Sequence, residues 1–380
     1  MLLELTADQQ SLRDTTAKFL SDSVPVDQLR ELRQHPAGYE EEYWRQGAEL
    51  GWTSLLVSEE AGGGSVSGHG LVDATLLAYE LGRHAAPGPF LSCNVVAAAL
   101  SAEDPVRHDA ALKEVLEGSV VASWCFTEAR PHGHLPEGTT LEMRVDGDEV
   151  VLGGTKRPVE SAAQAGHLLV TGRTGEGLTQ VLVPAGTPGM SLKPMHSVDL
   201  TRRFWVAHFD RARVPLDAVV GEVGGAHEQV ERQLQQALVL AGAESVGAMQ
   251  AAFDMTVSWA FDRYSFGRPL ASYQELKHRF ADMKTWLEAS HAIADTAAAA
   301  VDADQTDAAE LVSVASAYIG EYGADLLQDC VQMHGGIGVT YEHDLHLFLR
   351  RVTLNRALFG TPADHRRRVA TLLAEREEVR

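Results

Sequence analysis

Basic residues are scarce in this chain. Against 53 Asp and Glu there are 32 Lys and Arg among 380 residues, a formal net charge of −21. Such a balance argues against nucleic acid or an anionic membrane surface as partner, although a local basic pocket can still receive an anionic coenzyme. Cysteine is nearly absent. Cys93, Cys125 and Cys330 lie far apart, with neither metal nor redox spacing, so reduced thiols in a cytoplasmic compartment are the expectation. No apolar run is long enough to span a bilayer, and the amphipathic start lacks a cleavable apolar core. The histidines are scattered without ligand spacing, so no metal is expected. The Gly-x-Gly-x-x-Gly dinucleotide fingerprint is also missing: the glycine run at Gly335, Gly336 and Gly338 follows no strand and has the wrong spacing.

What is present is an ordinary globular composition, 45% hydrophobic and 22% charged, with length for two or three domains. Residues 1–118 read as an N-terminal helical domain, opened by a capping box at Thr6 and Gln9 and interrupted by the turn-rich EEAGGG. Residues 119–222 change period. Val145-Asp146-Gly147-Asp148 is a hairpin signal, and short alternating runs at 141–145, 150–152, 167–171, 180–184 and 204–209 read as strands. Crossover helices are missing between them, so the expectation is an antiparallel β domain and not a parallel nucleotide-binding sheet. Residues 223–380 return to helix. Four long helices are expected there, near 228–264, 273–302, 307–334 and 341–373, joined by short loops as in an antiparallel four-helix bundle. The fold class is therefore α+β multidomain, in the order helices, sheet, bundle.

Two stretches carry the functional signal. In FDRYSFGRPLASYQELKHRFADM a helix with apolar residues at Val239, Ala243, Val246, Met249, Phe253, Val257 and Phe261 is broken by Gly267, Arg268 and Pro269. The turn presents Arg263, Phe266, Gly267 and Gln274 together. A guanidinium beside a glycine that admits close backbone approach suits a phosphate-bearing ligand. In QMHGGIGVTYEHDLHLFLRR the glycines let backbone N–H groups approach an anion.

Both stretches, in this order and at this separation, resemble the acyl-CoA dehydrogenase superfamily, and the resemblance spans nearly the whole chain. It implies FAD, with Arg263 on the pyrophosphate, Phe266 and Gln274 on the adenosine, and Gln332, Gly335, Gly336 and Gly338 serving the FAD of a neighbouring subunit. Oligomerisation, as a homo- or hetero-oligomer, follows from that sharing. It implies a flavin contact at Thr127, in the strand end Trp124-Cys125-Phe126-Thr127-Glu128. The family's following Gly-Ser-Asp is replaced by ARPHGHLPEG, and its flavin-packing Trp-Ile-Thr by Pro158-Val159-Glu160. The implied reaction is α,β-dehydrogenation of an acyl-CoA or acyl-carrier thioester, with electrons leaving to an electron-transfer flavoprotein.

That reaction needs a carboxylate in reach of the α-proton, in a dry pocket that raises its pKa. Of the two positions where the family places it, one holds Phe359 and the other Ala237. Glu244 lies seven residues after Ala237 on nearly the same helix face, in the small apolar stretch LAGAESVGAM, and is the candidate base. The competing expectations are a base-lacking, FAD-supporting subunit of a heteromeric enzyme, such as bacterial steroid-degrading members resemble, a flavin monooxygenase or oxidase on the same fold, and an FAD-free scaffold. Whatever the base, the backbone N–H of Phe359 remains available to a thioester carbonyl.

Overall fold

The computed structural model describes residues 4–102, 107–130 and 132–378. The chain begins with α1 (Ala7–Ser23), whose Thr6–Gln9 capping box forms as expected. Helices α2 (Glu41–Glu49), α3 (Gly70–Arg83), α4 (Phe90–Ala102) and α5 (Asp109–Leu116) follow. Nearly every residue of α3 and α4 is buried, so these helices are core on all faces rather than one stripe. Trp44 and Trp52 meet edge to face at 6.2 Å beneath them.

One sheet comes next, built from β1 (Val121–Cys125), β2 (Glu142–Asp146), β3 (Glu149–Glu160), β4 (Ala165–Arg173), β5 (Leu178–Pro184), β6 (Met190–Met195), β7 (Phe204–Pro215) and β8 (Val219–Val220). Its order is β6-β7-β3-β2-β4-β5-β8, with β1 attached to β4. The β2–β3 hairpin turns at Gly147-Asp148, as the Asp-Gly signal predicts. Two details depart from expectation. The β1–β4 pair and a single β2–β4 bridge are parallel, so the sheet is antiparallel only elsewhere. Strand β6, absent from the sequence reading, sits at the edge, where Pro194 is tolerated because no ladder donor is lost on the solvent side.

The C-terminal helices are α6 (His227–Asp262), α7 (Gln274–Asp302), α8 (Ala308–His334), α9 (Leu345–Leu358) and α10 (Pro362–Glu378), with the hairpin of β9 (Tyr264–Ser265) and β10 (Arg268–Pro269) after α6. The helix expected over 341–373 is thus two helices. Gly360 has φ +112°, Pro362 starts α10 where its missing N–H costs nothing, and Thr361 and Asp364 cap each other. This break carries Phe359 and Gly360 to the sheet. Helix α3 lies directly on α6: a Cβ on Gly82 would stand 1.9 Å from the Glu244 carbonyl oxygen, and one on Gly247 2.0 Å from that of Tyr79. The apolar stripe of α6 is buried through Phe253 but runs out of cover, since Phe261 is exposed. Among the described residues no helix is long and apolar enough to cross a membrane.

Candidate active site and cofactor clamp

The segment after β1 is pinned by a buried ion pair. Lys156, fully buried on β3, donates to the Phe126 carbonyl at 2.6 Å and to Glu128 at 2.9 Å. Glu128 also accepts from the Thr140 amide and hydroxyl and the Leu141 amide. Burial alone would raise its pKa, but Lys156 and the Thr140 donors outweigh that and hold it at about 2. Thr127 is thereby fixed, its carbonyl accepting from the Arg157 amide at 2.8 Å. Beside it a cleft of about 310 Å3 opens between Thr127, Pro158, Met195, Leu358, Gly360 and Thr361. The end of β1 and the α9–α10 break, 230 residues apart, therefore share one cavity.

Both positions for the family's carboxylate are apolar here. The Phe359 ring is buried 5.4 Å from Trp124, which stacks on Phe126 at 4.8 Å. Ala237 is fully buried in α6.

Glu244 does not have the apolar surroundings expected of it. Its Oε1 accepts from Arg351 at 2.7 Å, and its Oε2 accepts from Arg202 at 3.2 Å and Asn355 at 2.7 Å. The network continues. Arg202 pairs with Glu160 at 2.5 Å, and Arg351 pairs with Asp199 at 2.5 Å while donating to the Ala85 and Ala86 carbonyls and the Thr201 hydroxyl. Burial would push Asp199 up, but Arg351 and the Thr201 amide hold it below the usual carboxylate range. The chain neighbours of Glu244 are apolar, as the sequence reads. Its spatial neighbours arrive from 42 and 107 residues away, which no local reading sees. The same network engages Glu160, which stands where the family carries the last residue of its flavin-packing Trp-Ile-Thr.

The other predicted residues gather at one end of the bundle. Helices α6 and α8 end side by side: Trp259 stacks on His334 at 5.3 Å, and the Arg263 guanidinium lies 6.0 Å from the Trp259 ring. Arg263, Gln274, Gln332, Gly335 and Gly336 are exposed, Phe266 is 97% exposed, and only Gly338 is buried. Arg263 forms no ion pair among the described residues, and a Cβ on Gly335 or Gly336 would meet nothing within 4 Å. Gln274 pairs with His278 at 2.9 Å. An unpaired guanidinium and open glycine backbone at one end of the bundle are the kinds of donor a diphosphate takes. The clamp fits FAD; the sheet side, with Glu160 tied to Arg202, fits its ring less well. The clamp and the Thr127 cleft stand at opposite ends of α9, about 20 Å apart at 1.5 Å per residue.

Two histidines escape sequence reasoning. His134, from the ARPHGHLPEG segment, lines the cleft, and His365 is buried behind it. A Cβ on Gly360 would stand 2.9 Å from the His134 ring and 3.1 Å from His365 Nε2. His365 lies against the Phe359 carbonyl without reaching hydrogen-bond geometry, and burial, with Arg368 and His134 nearby, pushes it down to about 4. The one sequence signal was the departure from Gly-Ser-Asp at 130–134.

Comparison with known proteins shows the family and the fold. Residues 6–103 match the acyl-CoA dehydrogenase N-terminal domain, and residues 227–373 match the acyl-CoA dehydrogenase C-terminal domain. Acyl-CoA dehydrogenase IpdE2 of Mycobacterium tuberculosis is 29% identical, covering 95% of this chain and 96% of that protein. Acryloyl-CoA reductase (NADH) of Anaerotignum propionicum is 25% identical over 96% and 94%. Among solved structures, the Tcur3481-Tcur3483 steroid ACAD G363A variant superposes with a TM-score of 0.88 at 26% identity, covering 97% of this chain and 98% of that one. Butyryl-CoA dehydrogenase from Megasphaera elsdenii shares the fold, with a TM-score of 0.88 at 21% identity over 98% and 100%. With helices, sheet and helices in this order, an open clamp at one end of the bundle and a cleft at the other, the chain belongs to the acyl-CoA dehydrogenase family of oxidoreductases.

Proposed function

We propose that this chain is the base-lacking subunit of a heteromeric acyl-CoA dehydrogenase, in which a partner chain supplies the proton-abstracting carboxylate. One observation carries this reading. Both family positions for the carboxylate are apolar and buried, and the candidate replacement, Glu244, has both oxygens engaged by guanidinium and amide donors, as do Glu128 and Asp364 in the cleft by other donors. A general base needs a free lone pair aimed at the α-proton. Glu244 instead ties α6 to α9 and to the loop after β6.

The clamp supports the second half of the reading. A ribityl chain is much shorter than α9, which supports an FAD shared between subunits over one held in this chain's cleft and on this chain's clamp at once. Arg263, Phe266, Gln274, Gln332 and the glycines would hold the diphosphate and adenosine of an FAD whose ring lies in a neighbouring subunit. The exposed apolar residues Phe261, Tyr264, Phe266, Ile337, Val339 and Tyr341 flank this corner, as a subunit contact requires. FAD supplies hydride-accepting chemistry when bound. This chain's own contributions are binding, exclusion of water by Phe359 and Trp124, and the Phe359 N–H for a thioester carbonyl. The similarity to a steroid ACAD named for two gene products fits a heteromer, and a bulky acyl-CoA thioester fits as substrate, with an electron-transfer flavoprotein as acceptor.

The test is purification alone and with a chain encoded beside it. The complex should be yellow and should dehydrogenate acyl-CoA in the presence of an electron-acceptor dye. Turnover by this chain alone, abolished by Glu244→Gln, would overturn the reading in favour of Glu244 as base.

A further inference from the structure

On the far side of Met195 from the Thr127 cleft lies a second cavity of about 360 Å3. All three parts of the chain build it: Arg33 from the N-terminal helices, His196 to Arg203 from the loop between β6 and β7, and Tyr341 and Arg350 from the start and middle of the α9 region. Its lining holds four arginines and one histidine, but Asp199 is its one carboxylate among the described residues. That is a concentration of positive charge in a chain of net charge −21.

The partners of these groups decide what the cavity can do. Asp199 is already saturated, with one oxygen on Arg351 and the other on the Thr201 amide and hydroxyl. Arg202 is likewise satisfied, by Glu160, Glu244 and Asn355. Three cations remain. Arg203 donates only to main-chain carbonyls, those of Leu200, Leu32, Arg33 and His35. Arg350 donates from Nη1 to the Val198 carbonyl, while its Nε is buried with no acceptor. Arg33 has no ion-pair partner among the described residues. Carbonyls orient a guanidinium without neutralising it. Arg203 and Arg350 are half-buried and Arg33 is exposed, and a cation taken even partly out of water gains from a counter-charge. Partial burial also pushes Arg203 below the usual guanidinium range, with Asp199 acting in the opposite direction.

We propose that this cavity is a binding site for a phosphate or diphosphate group, held by Arg33, Arg203 and Arg350. Arg203 is the preorganised member, fixed by its carbonyls, and Arg350 Nε and Arg33 supply the free donors. Planar guanidiniums from three directions match a tetrahedral dianion better than a single carboxylate. A ligand there would bridge the N-terminal helices, the sheet and α9 next to Met195. The site is independent of which chain supplies the catalytic base.

The experiment measures the melting temperature and calorimetric binding with inorganic phosphate, pyrophosphate and ADP, each against KCl at equal ionic strength. The protein is the isolated chain or its complex, whichever is stable. Phosphate or pyrophosphate should stabilise where KCl does not. The Arg33→Gln/Arg350→Gln variant should lose roughly tenfold or more in affinity while melting normally in KCl. Arg203 is left intact because it ties down residues 32–35. ADP binding more tightly than pyrophosphate assigns a nucleotide-borne diphosphate, and the reverse assigns a free one. Stabilisation no greater than that of KCl, or equal affinity in the variant, overturns the proposal.

Discussion

The two ends of α9 are built in opposite ways. At its start, beside the clamp, glycine backbone and the Arg263 guanidinium face outward, and the apolar stripe of α6 ends uncovered at Phe261. At its end, beside the cleft, Phe359 packs on Trp124, and carboxylates and guanidiniums neutralise one another out of water. The clamp end is unfinished within one chain; the cleft end is closed by the chain's own side chains. The difference matches the proposed reading, in which this subunit would offer a cofactor contact to a neighbour while apolar side chains fill its own catalytic positions.

Substitutions can break that contrast, and their expected effects on folding fall steadily from the cleft end to the clamp end. Arg351→Ala should cost most, about 3–5 kcal/mol in urea denaturation, because it strands Asp199 and Glu244 without their counter-charge. An unmoved midpoint would show that the network does not hold the three parts together. Acid should act next. His365 sits at about 4 in the folded chain against 6.5 ordinarily, so its neutral form is favoured by folding. Its contribution is present above pH 6.5 and is lost as pH falls toward 4, on the order of 3 kcal/mol. His291, also held at about 4 by burial, adds to the same slope. His365→Gln should flatten the stability profile between pH 6.5 and 4, leaving the His291 part.

At the clamp end the folding effect should nearly vanish. Phe266→Ser removes a ring that is 97% exposed, so the melting temperature of the isolated chain should hold while sedimentation shows weaker assembly. Arg263→Ala should change folding least, within about 0.5 kcal/mol, since it breaks no ion pair among the described residues. FAD retention by the complex, read from flavin absorbance, should nevertheless drop on the order of tenfold or more. A large folding loss in either variant would erase the distinction between the two ends.

How much was readable follows the same division. Arg263, Gly267, Gly335 and Gly338 were legible because a helix stop and a glycine run are local rules, each needing only its chain neighbours. The vacant base positions were legible too, as Phe359 and Ala237 simply carry no proton acceptor. The α9–α10 break was written in FGTPAD, but the helical periodicity around it is strong enough to read straight through. The apolar surroundings expected of Glu244 are absent for a different reason: its apolar stretch describes the helix, not what packs on it.

From the amino-acid order alone came the succession of helices, sheet and helices, the helix stop after Phe261, the later glycine run, and the absence of a carboxylate at the family's two positions. These depend on backbone chemistry and on side-chain identity within a few residues. Tertiary structure alone decided that Glu244 is shared between two arginines, that His134 and His365 meet at Gly360, and that three arginines without a carboxylate hydrogen-bonded to them line one cavity. Charge and burial act through space, and each of those meetings joins residues that lie far apart along the chain.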